Sequence, residues 1–334
     1  MKDVAAVAGV SLSTVSRVVN GSPVAADLTA KVEHAVALLG YRRNHTAGTL
    51  RRADGISRTI GLIVEDVSNP FFSGIHRGVE EIARARAVVT IAGSADEDPD
   101  RERELTEALL ARRIDGLLLA PTPGDHTHLM RDVAAGTALV FVDRPPDSIE
   151  ADCVLSDNRG GAERAVLQLI AHGHRRIAFL GDRPTVHTAA ERLAGYRAAL
   201  ARASLPEDPR LVRHPRPRAG DAYQVTTELL SASDAPTAVF SSQNLITLEA
   251  LRALHDSGRQ GEIALIGFDD VPLFEAIEPG VTVVAQDAPG VGRHAAQLLF
   301  SRLDGYDGPA RRVVSPTSLI ERGSGELPLP RRRA

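Results

Sequence analysis

Short apolar runs alternate with longer amphipathic stretches over most of the chain from Thr59 onward. We predict strands at Ile60–Val64, Ala87–Ala92, Gly116–Ala120, Ala138–Val142, Cys153–Ser156, Ile177–Gly181, Ala238–Ser241 and Ala264–Phe268. The stretches between them predict amphipathic helices, among them Phe72–Arg86, Arg101–Arg112, Arg159–His172, Ala190–Ala203 and Leu245–Ser257. This alternation is typical of parallel sheets with helices on both faces.

The alternation continues for longer than one open sheet usually requires, so we predict two doubly wound α/β subdomains with a ligand cleft between them. In such sheets ligands bind beyond the carboxyl ends of the strands. Asp66, Asp143 and Asp269 each fall at such an end. No Gly-x-Gly-x-x-Gly follows a strand and there is no Walker lysine. The sequence therefore does not indicate nucleotide phosphates, and we expect no cofactor.

A different pattern occupies the N-terminus, where Ala5, Gly9 and Val15 have the spacing of a helix-turn-helix. A small residue at position 5 lets the second helix cross, and glycine at position 9 tolerates a positive φ in the turn. The apolar seam between these two helices is predicted to contain Val4, Ala8, Val10, Val15 and Val18. A third helix is predicted over Val24–Leu39, with Gly40 ending it. Its apolar positions are Leu28, Val32, Ala35, Val36 and Leu39.

The polar residues of the second helix predict a surface that reads DNA. The outward-facing residues are Ser11, Ser13, Thr14, Ser16 and Arg17. Such a helix can enter a major groove, with hydroxyls on phosphates and the fork of Arg17 on a guanine edge. The alternative is an ordinary amphipathic helix pair, because single matches to this motif also arise by chance. The predicted third helix favours the DNA-reading head.

Composition narrows the class of protein. The chain has 334 residues, 43% of them hydrophobic, which is enough to bury a substantial core. It lacks the roughly eighteen-residue apolar run of a membrane span and the apolar core of a secretion signal, so we expect a soluble, cytoplasmic protein. Cys153 is the single cysteine and has no CxxC partner, which argues against disulfide, zinc and redox chemistry.

Charge is distributed unevenly along the chain. The net charge is −4, but residues 1–58 contain eight Lys/Arg and four Asp/Glu, which gives +4 and leaves −8 for the remainder. A basic head on an acidic body concentrates the attraction for phosphates at one end.

Together these motifs resemble the lactose/galactose repressor (LacI/GalR) family. In the head the matching residues are Val4-Ala5, Gly9–Ser11, Ser13–Gly21, Leu39–Tyr41 and Asn44. Further matches follow in family order at Thr59–Ile63, Ser68–Phe72, Arg113–Leu117, Phe141–Arg144, Arg192–Tyr196 and Gly267–Asp270. The resemblance covers residues 1–325 and implies an allosteric, dimeric transcription regulator with a periplasmic-binding-protein-like core.

The resemblance implies three parts. These are a helix-turn-helix DNA-binding domain at 1–43, a hinge helix and linker at 44–58, and an effector-binding and dimerisation core at 59–330. Within the core, an N-subdomain of about 59–155 and 286–313 joins a C-subdomain of about 156–285 and 314–328.

Roles in DNA binding carry over residue by residue. Leu12, Ser13 and Arg17 match base-reading positions of the second helix. Positions on the phosphate side are matched by Ser11, Thr14, Ser16 and Asn20. In the hinge, Asn44 and Leu50 both match the family pattern. Leu50 corresponds to a leucine that such regulators wedge into the minor groove of the operator. The alternative for Leu50 is an ordinary apolar linker residue.

The resemblance also implies an effector site in the cleft. Phe71 and Phe72 match cleft positions, although paired aromatics often belong to a core. The polar contacts are Asp143, Thr188, Arg192 and Asp269, with weaker matches at Asp96 and Gln286. Carboxylates accept hydrogen bonds from hydroxyls and arginine offers a planar donor fork, a pairing suited to a sugar-like polyol. The alternative is that Asp143 and Asp269 cap helices, with Arg192 as an ion-pair partner.

Several positions depart from the family pattern. The run begins at Met1 without the preceding residues, commonly including Thr, that cap the first helix in relatives, and Ala25 replaces a frequent serine cap on the third. Gly48 weakens the hinge helix by ~1 kcal/mol. Gln243 and Asn244 stand where many relatives carry Asn-Asp, which leaves the effector contact there open. The chain after Arg322 has no leucine heptad, so we expect a homodimer rather than a coiled-coil tetramer.

We therefore predict a sequence-specific DNA-binding repressor of carbohydrate-related genes that binds a pseudo-palindromic operator and is controlled by a small sugar-like effector. One rival is a solute-binding protein of a sugar importer, which would require an export signal and no helix-turn-helix. The second rival is an enzyme such as a hydrolase. His172, His174 and His187 stand apart from any catalytic or metal-binding set, which disfavours an enzyme.

Overall fold

In the computed structural model, the described residues are 1–19, 22–41, 57–217 and 220–329. They divide into two units, Met1–Ser57 and Arg58–Ala334.

The first unit contains three helices: α1 (Lys2–Ala8), α2 (Leu12–Val19) and α3 (Ala26–Leu38). Their core consists of Val4, Ala8, Val15, Val32 and Ala35, and Val10 and Val18 pack against it, which confirms the predicted seam. Gly9 has φ 63° and its N–H bonds the carbonyl of Ala5, so this turn needs a left-handed residue.

Two expectations for α3 differ from the structure. This helix spans Ala26–Leu38 rather than Val24–Leu39, and Leu39 is 43% exposed instead of joining the core. Leu39 lies at the C-cap, beyond the last full turn, so the spacing of three and four no longer directs it inward. Met1 and Ala25 occupy the N-caps of α1 and α3 without a side-chain cap bond, as the sequence predicts.

The second unit is built from strands and helices in alternation. The strands are β1 (Thr59–Val64), β2 (Val89–Ser94), β3 (Gly116–Leu119), β4 (Ala138–Val142), β5 (Asp152–Ser156), β6 (Ile177–Leu180), β7 (Val212–Arg213), β8 (Ala238–Ser241), β9 (Ala264–Phe268), β10 (Thr282–Gln286), β11 (Arg312–Ser315) and β12 (Thr317–Ile320). The helices are α4 (Pro70–Ala85), α5 (Pro99–Ala111), α6 (Met130–Ala134), α7 (Asn158–Ala171), α8 (His187–Arg202), α9 (Asp221–Ser231), α10 (Asn244–Asp256) and α11 (Ala288–Leu303).

These strands form two six-stranded sheets. The first has the order β11-β5-β4-β3-β1-β2 and the second β12-β10-β9-β8-β6-β7. All pairings are parallel except β10 with β12, which is antiparallel at the edge of the second sheet. The prediction of parallel sheets is therefore correct apart from this edge. We call the first sheet with its helices the first lobe, and the second sheet with its helices the second lobe.

Helices cover both faces of each sheet, and each face has its own apolar cluster. In the first lobe, α4 and α11 pack over one face around Ile75, Val79 and Leu299, while α5 covers the other around Leu109. In the second lobe, α9 and α10 cover one face, and α7 and α8 cover the other. Parallel strands buried on both faces explain the continuous apolar runs seen in the sequence.

Contact between α4 and α11 depends on two glycines. A Cβ at Gly78 would lie 2.0 Å from the carbonyl oxygen of Pro289, and one at Gly292 would lie 2.1 Å from that of Ile75. The backbones of the two helices can approach this closely only where a side chain is absent.

All eight predicted strands and five predicted helices are present, with shifted ends. The largest shift among the strands is at β2, which begins at Val89 rather than Ala87. Ala87 has φ 53° and its N–H bonds the carbonyl of Arg84, so it still belongs to the turn that ends α4. No helix among the described residues is long and apolar enough to cross a membrane.

Candidate functional site

The exposed face of α2 carries the residues predicted to read DNA. Ser11 caps this helix, because its Oγ accepts a hydrogen bond from the N–H of Thr14 at 3.1 Å. Four of the predicted residues are exposed and two are half-buried around the buried Val15. The exposed residues are Ser11, Leu12, Ser13 and Arg17, and the half-buried ones are Thr14 and Ser16. Their roles toward bases and phosphates remain predictions.

The other predicted DNA contacts, Asn20, Asn44 and Leu50, lie outside the described residues. The same holds for Gly48 and for most of the predicted hinge at 44–58.

A second candidate site lies where the carboxyl ends of the two sheets meet. Residues from both lobes line a cavity of about 30 Å³, which is room for roughly one water molecule. The first lobe contributes Glu65, Asn69, Phe71, Phe72, Asp143 and Arg144. The main polar residues of the second lobe are Asp182, Thr188, Arg192, Ser242, Gln243 and Asp269. The lobes are therefore closed on each other, and a larger ligand requires them to separate.

Six of the eight residues predicted for the effector site line this cavity. They are Phe71, Phe72, Asp143, Thr188, Arg192 and Asp269. Both phenylalanines also belong to the core of the first lobe, with ring centroids 5.1 Å apart in an edge-on arrangement. The structure brings these residues together, and their contact with a ligand remains a prediction.

Arg192 is held by several contacts within the second lobe. Its Nε donates to Asn158 Oδ1 at 2.7 Å and its Nη1 donates to the carbonyl of Ser242 at 2.6 Å. The guanidinium carbon lies 3.8 Å from the ring centroid of Phe268, a cation–π contact. Asp269 Oδ2 lies 3.5 Å from Nη1. The guanidinium is therefore fixed in one plane at the cavity wall.

Asp143 and Asp269 occupy corresponding places in the two lobes. Each follows a central strand, has a left-handed φ (66° and 71°), and donates its N–H at 2.9 Å to a neighbouring strand, at Val154 and Val284. Neither residue is the N-cap of a helix, so the capping alternative is wrong for both, whereas its second part, an ion pair with Arg192, is confirmed for Asp269. Non-glycine residues held at positive φ tend to occur at functional sites, because the surrounding structure must offset the strain.

Asp96 and Gln286 do not line the cavity. Asp96 is half-exposed and pairs with Arg101 of α5, while its neighbour Glu97 turns toward the cavity side and pairs with Arg144. Gln286 donates from Nε2 to Asp269 Oδ1 and so positions that carboxylate from behind. Asp96 and Glu97 are consecutive residues at positive φ, and neither lines the cavity.

Sequence reasoning missed a charged cluster around Arg144. This arginine is 6% exposed, and its Nη2 lies within ion-pair distance of both Glu97 and, at 3.7 Å, Glu65. Its Nε lies 3.4 Å from Asp143 Oδ2. Arg144 directly follows Asp143 in a matched motif, so the sequence contained a signal for it.

Glu65 lines the cavity, whereas the predicted Asp66 does not. The carboxylate of Asp66 accepts hydrogen bonds from the N–H and Oγ of Ser68 and so supports a turn. Side chains alternate between the two sides of an extended chain, and this alternation separates the roles of the two neighbouring acids.

Burial changes the proton affinity of the acids in this cluster. It raises the pKa of Glu65 to about 7, and the charges of Glu97, Asp182 and Asp143 add to the rise while Arg144 opposes it. Burial likewise raises the pKa of Asp143 to about 6, opposed mainly by Arg144. Both acids therefore titrate near neutral pH.

Asn69 and Asn244 join the two lobes directly. The amide of Asn244 donates to Asn69 Oδ1 at 2.9 Å, and the amide of Asn69 donates to Asn244 Oδ1 at 3.3 Å. Both side chains are buried, at 4% and 0% exposure. Gln243 caps α10 instead, since its Oε1 accepts from the N–H groups of Leu245 and Ile246. The departure seen at positions 243 and 244 thus corresponds to a cap and an interlobe hydrogen-bond pair.

A larger cavity of about 350 Å³ lies at the amino edge of the first sheet, between Ala138 and Asp152. Its arginine, Arg302, is already bound to Asp152 at 2.9 and 3.0 Å. Arg302 and Asp152 therefore already satisfy each other's hydrogen bonds and offer few free groups to a ligand. Across the described ranges, no group of three or more His, Cys, Asp or Glu residues could hold a metal ion.

Two family models match the chain. One, described as bacterial regulatory proteins of the lacI family, matches residues 1–44, and another, described as a periplasmic binding protein-like domain, matches residues 166–325. The first covers the head and the second covers most of the second lobe.

Curated relatives match over nearly their whole length. The regulator PtxS of Pseudomonas plecoglossicida is 34% identical over 330 residues, which cover 97% of this chain and 95% of PtxS. GalR of Escherichia coli strain K12 is 34% identical over 335 residues, covering 98% and 96%. Both are HTH-type transcriptional regulators by name.

Solved structures agree with this similarity. The lac repressor dimer bound to operator and the anti-inducer ONPF has a TM-score of 0.82 at 28% identity and covers 97% of this chain and 98% of its own. The complex of the regulator CelR with cellobiose has a TM-score of 0.72 at 33% identity, covering 97% and 99%. The predicted fold class, a helix-turn-helix head followed by two α/β subdomains, is confirmed.

Proposed function

The chain belongs to the lacI family of bacterial regulatory proteins, and we propose that it represses carbohydrate-related genes under the control of a sugar-like effector. As a member of this family it is a DNA-binding transcriptional regulator rather than an enzyme. We infer that it acts in the cytoplasm, where the operator DNA is.

One observation carries this proposal: the polar cavity is shared by both lobes. Asp143 of the first lobe and Arg192 and Asp269 of the second line the same space. A ligand held by groups from both sides favours one separation of the lobes over another, and this differential affinity is what an allosteric regulator requires.

A sugar-like effector suits the chemistry of the cavity wall. Carboxylates accept from hydroxyls, the guanidinium of Arg192 donates in a plane, and Phe71 offers an aromatic surface. CelR is named in complex with cellobiose, and a lacI-family regulator from Enterococcus faecium is named with bound ribose. These relatives support a sugar or related polyol here.

We propose that two copies of the chain bind one pseudo-palindromic operator, each head reading one half-site. The lac repressor is described as a dimer bound to operator. In this chain, β2 is the exposed edge strand of the first sheet and carries Val89 and Ile91 at 62% and 39% exposure. An exposed apolar edge strand is a surface that a second copy can cover.

The coupling would pass through the hinge at 44–58. A ligand that changes the separation of the lobes would change how the first lobes of a dimer meet. It would thereby change whether both hinge segments can order on one operator. Leu50 as a minor-groove wedge belongs to this part of the proposal.

The rival of a solute-binding protein shares the two-lobed core but not the head. The lacI-family match at residues 1–44 favours the regulator. The hydrolase rival is not supported either, because the curated relatives named above are transcriptional regulators.

The experiment that tests the function is Arg17→Ala in the full chain. Arg17 is the exposed basic residue on α2. A bidentate contact from arginine to guanine contributes ~1–3 kcal/mol to the discrimination between the correct and a wrong base pair. We expect this variant to lose preference for the operator over scrambled DNA by about 10- to 100-fold. Fluorescence anisotropy with both DNAs measures it.

Lys31→Ala is the matched control. Lys31 is exposed on α3 and its removal takes the same charge from the head. We expect weaker binding to both DNAs with an unchanged ratio. Unchanged operator preference in Arg17→Ala would show that α2 does not read bases.

A further inference from the structure

We propose that the effector of the cleft is an amino sugar, a polyol that carries an ammonium group. This inference rests on the proposed function, since it takes the cavity between the lobes as the effector site. It concerns which class of sugar the charges and hydrogen-bonding atoms of this cavity favour.

The cavity wall contains more negative than positive charge. Four carboxylates line it, at Glu65, Asp143, Asp182 and Asp269, against the guanidinium groups of Arg144 and Arg192. These charged groups interact strongly with one another, because the surrounding protein screens charge less than water does.

Both guanidinium groups already have close acidic partners. Arg144 pairs most closely with Glu97, a fifth carboxylate that is itself 10% exposed, and Arg192 pairs with Asp269 at 3.5 Å. The two lining acids of the first lobe therefore share Arg144 with Glu97. Arg144 lies 3.7 Å from Glu65 and 3.4 Å from Asp143.

Asp182, which faces these acids from the second lobe, has a weak partner. Arg183 lies 3.8 Å away and is half-exposed, so solvent screens its charge. His187 does not add a fixed positive charge, because burial lowers its pKa. The cavity thus has more carboxylates than fixed positive charges, from both lobes, and burial keeps part of this excess protonated near neutral pH.

One unpartnered buried acceptor gives an independent sign that the ligand donates a hydrogen bond to Asp143. Of the described residues that line the cavity, Asp143 Oδ1, Ser242 Oγ and Arg144 Nε are buried and have no hydrogen-bond partner, and Asp143 Oδ1 can only accept. The side chains of Asp143 and Ser242 are 4% and 1% exposed and line the cavity from opposite lobes. A buried acceptor without a donor is costly, so a ligand that donates to it gains affinity.

An ammonium group matches both observations. It supplies three donors and no acceptor, and its charge offsets the surplus that Glu65, Asp143 and Asp182 create. A sugar acid or a sugar phosphate would add negative charge to the same space and is excluded by repulsion. A neutral sugar satisfies the acceptors but leaves the charge surplus buried.

The proton affinities support this selection. Like charges and burial raise the pKa of Glu65 to about 7 and that of Asp143 to about 6. A bound cation would stabilise the charged forms and lower both values again. Binding at pH 7 should therefore release protons.

The test is calorimetric titration of the full chain with matched sugars on three scaffolds. Glucose, galactose and mannose are each compared with the 2-amino-2-deoxy sugar, the uronic acid and the 6-phosphate. We expect the best amino sugar to bind at least about tenfold tighter than its neutral counterpart, as charge-assisted hydrogen bonds outweigh neutral ones. The acids and phosphates should not bind detectably.

Two further measurements separate charge from shape. Titrations in buffers of different ionisation enthalpy should show proton release with the amino sugar at pH 7. Glu65→Gln should reduce the preference for the amino over the neutral sugar by about tenfold, while Glu104→Gln, an exposed acid on α5, should not change it. Proton release needs no variant, so the proposal stays testable if Glu65→Gln folds poorly.

Equal affinity for a neutral sugar and its amino counterpart, absence of proton release, or no binding by any amino sugar would overturn the proposal. Such results leave the proposed function intact, because operator preference in Arg17→Ala is measured without any ligand.

Discussion

At the residue scale, Arg192 shows how one side chain can organise half of the cleft. Its hydrogen bonds to Asn158 and Ser242 and its contact with Phe268 all lie within the second lobe. Together these contacts fix the plane of the guanidinium group, and with it the direction of the N–H groups that remain for a ligand. Lysine cannot reproduce this planar fork.

We therefore expect Arg192→Lys to weaken effector response about 10- to 100-fold while operator binding without effector stays close to that of the parent. The loss corresponds to ~1.5–3 kcal/mol for hydrogen bonds to a charged group. An operator-release titration measures it. Arg197→Lys, which changes an exposed arginine on the same helix, is the control. A normal response in Arg192→Lys would contradict the cleft assignment.

Glu65 gives a pH dependence whose sign follows from its raised pKa. The folded state holds this proton more tightly than the unfolded state, with a pKa of about 7 against an ordinary 4.5. The stabilisation is fully present below about pH 4.5 and is lost as the pH rises through 7. Asp143 shifts in the same direction, with a folded pKa of about 6.

Glu65→Gln should thus gain stability relative to the parent as pH rises from 5 to 8. Glutamine resembles the protonated acid at every pH, so the difference in unfolding free energy should grow by at most about 3 kcal/mol over this range. Urea denaturation at both pH values measures it, and the exposed Glu104→Gln should show no such growth. A constant difference would mean that Glu65 titrates normally.

At the element scale, the packing of α4 against α11 depends on glycines that the sequence pattern does not flag. Gly290 and Gly292 stand in the first turns of α11 and lower its helical propensity, whereas Pro289 lies at a first-turn position that tolerates proline. The helix forms because its buried face packs on α4 and the first sheet. Tertiary contact overrides local preference here.

Gly292→Ala should destabilise the chain by ~1–3 kcal/mol, because the added methyl meets the backbone of Ile75 at 2.1 Å and a carbonyl cannot yield as a side chain can. Thermal or urea unfolding tests this. Gly261→Ala adds a methyl where nothing lies within 4 Å and should be nearly neutral. Equal stabilities would show that the two helices can separate at no cost.

Four strands were not predicted. Strand β7 has two residues, β11 and β12 are half-exposed edge strands, and β10 is an interior strand that begins and ends in polar residues. The helices α6, α9 and α11 were also not predicted. The other strands buried on both faces form plain apolar runs in the sequence and were predicted, with boundary shifts set by local turns.

At the scale of the whole molecule, the lobes are held together by a pair of amides as well as by charges. Asn69 and Asn244 exchange two hydrogen bonds in a buried setting. Asn69 also caps α4 by accepting from the N–H of Phe71, so opening of the lobes would cost the amide pair but not the cap.

We expect Asn244→Ala to tighten effector binding about two- to tenfold, because the closed state, whose cavity is too small for a sugar, loses ~0.5–1.5 kcal/mol of hydrogen bonding. Asn69→Ser keeps a capping oxygen but is too short to reach Asn244, and the double variant should bind no tighter than either single one. Calorimetry with the best sugar measures this. Additive gains would contradict a shared pair, and Gln168→Ala, within the second lobe, serves as control.

The sequence by itself determined the class of fold, the three-helix head and six of the fourteen residues that line the cleft. Apolar periodicity and motif order are local properties. Asp143 and Asp269 each directly follow an apolar run, which by itself places them at the carboxyl end of a strand. These features could be predicted without knowing which segments of the chain are in contact in the fold.

Only the tertiary structure decided which charges share the cavity and how the lobes are joined. Glu65, Glu97 and Asp182 come from distant segments, and their effect on one another depends on distance and burial. Asn69 and Asn244 are separated by 175 positions, and nothing in either local pattern predicts their pairing. Such interactions depend on three-dimensional proximity, which periodicity in one dimension does not encode.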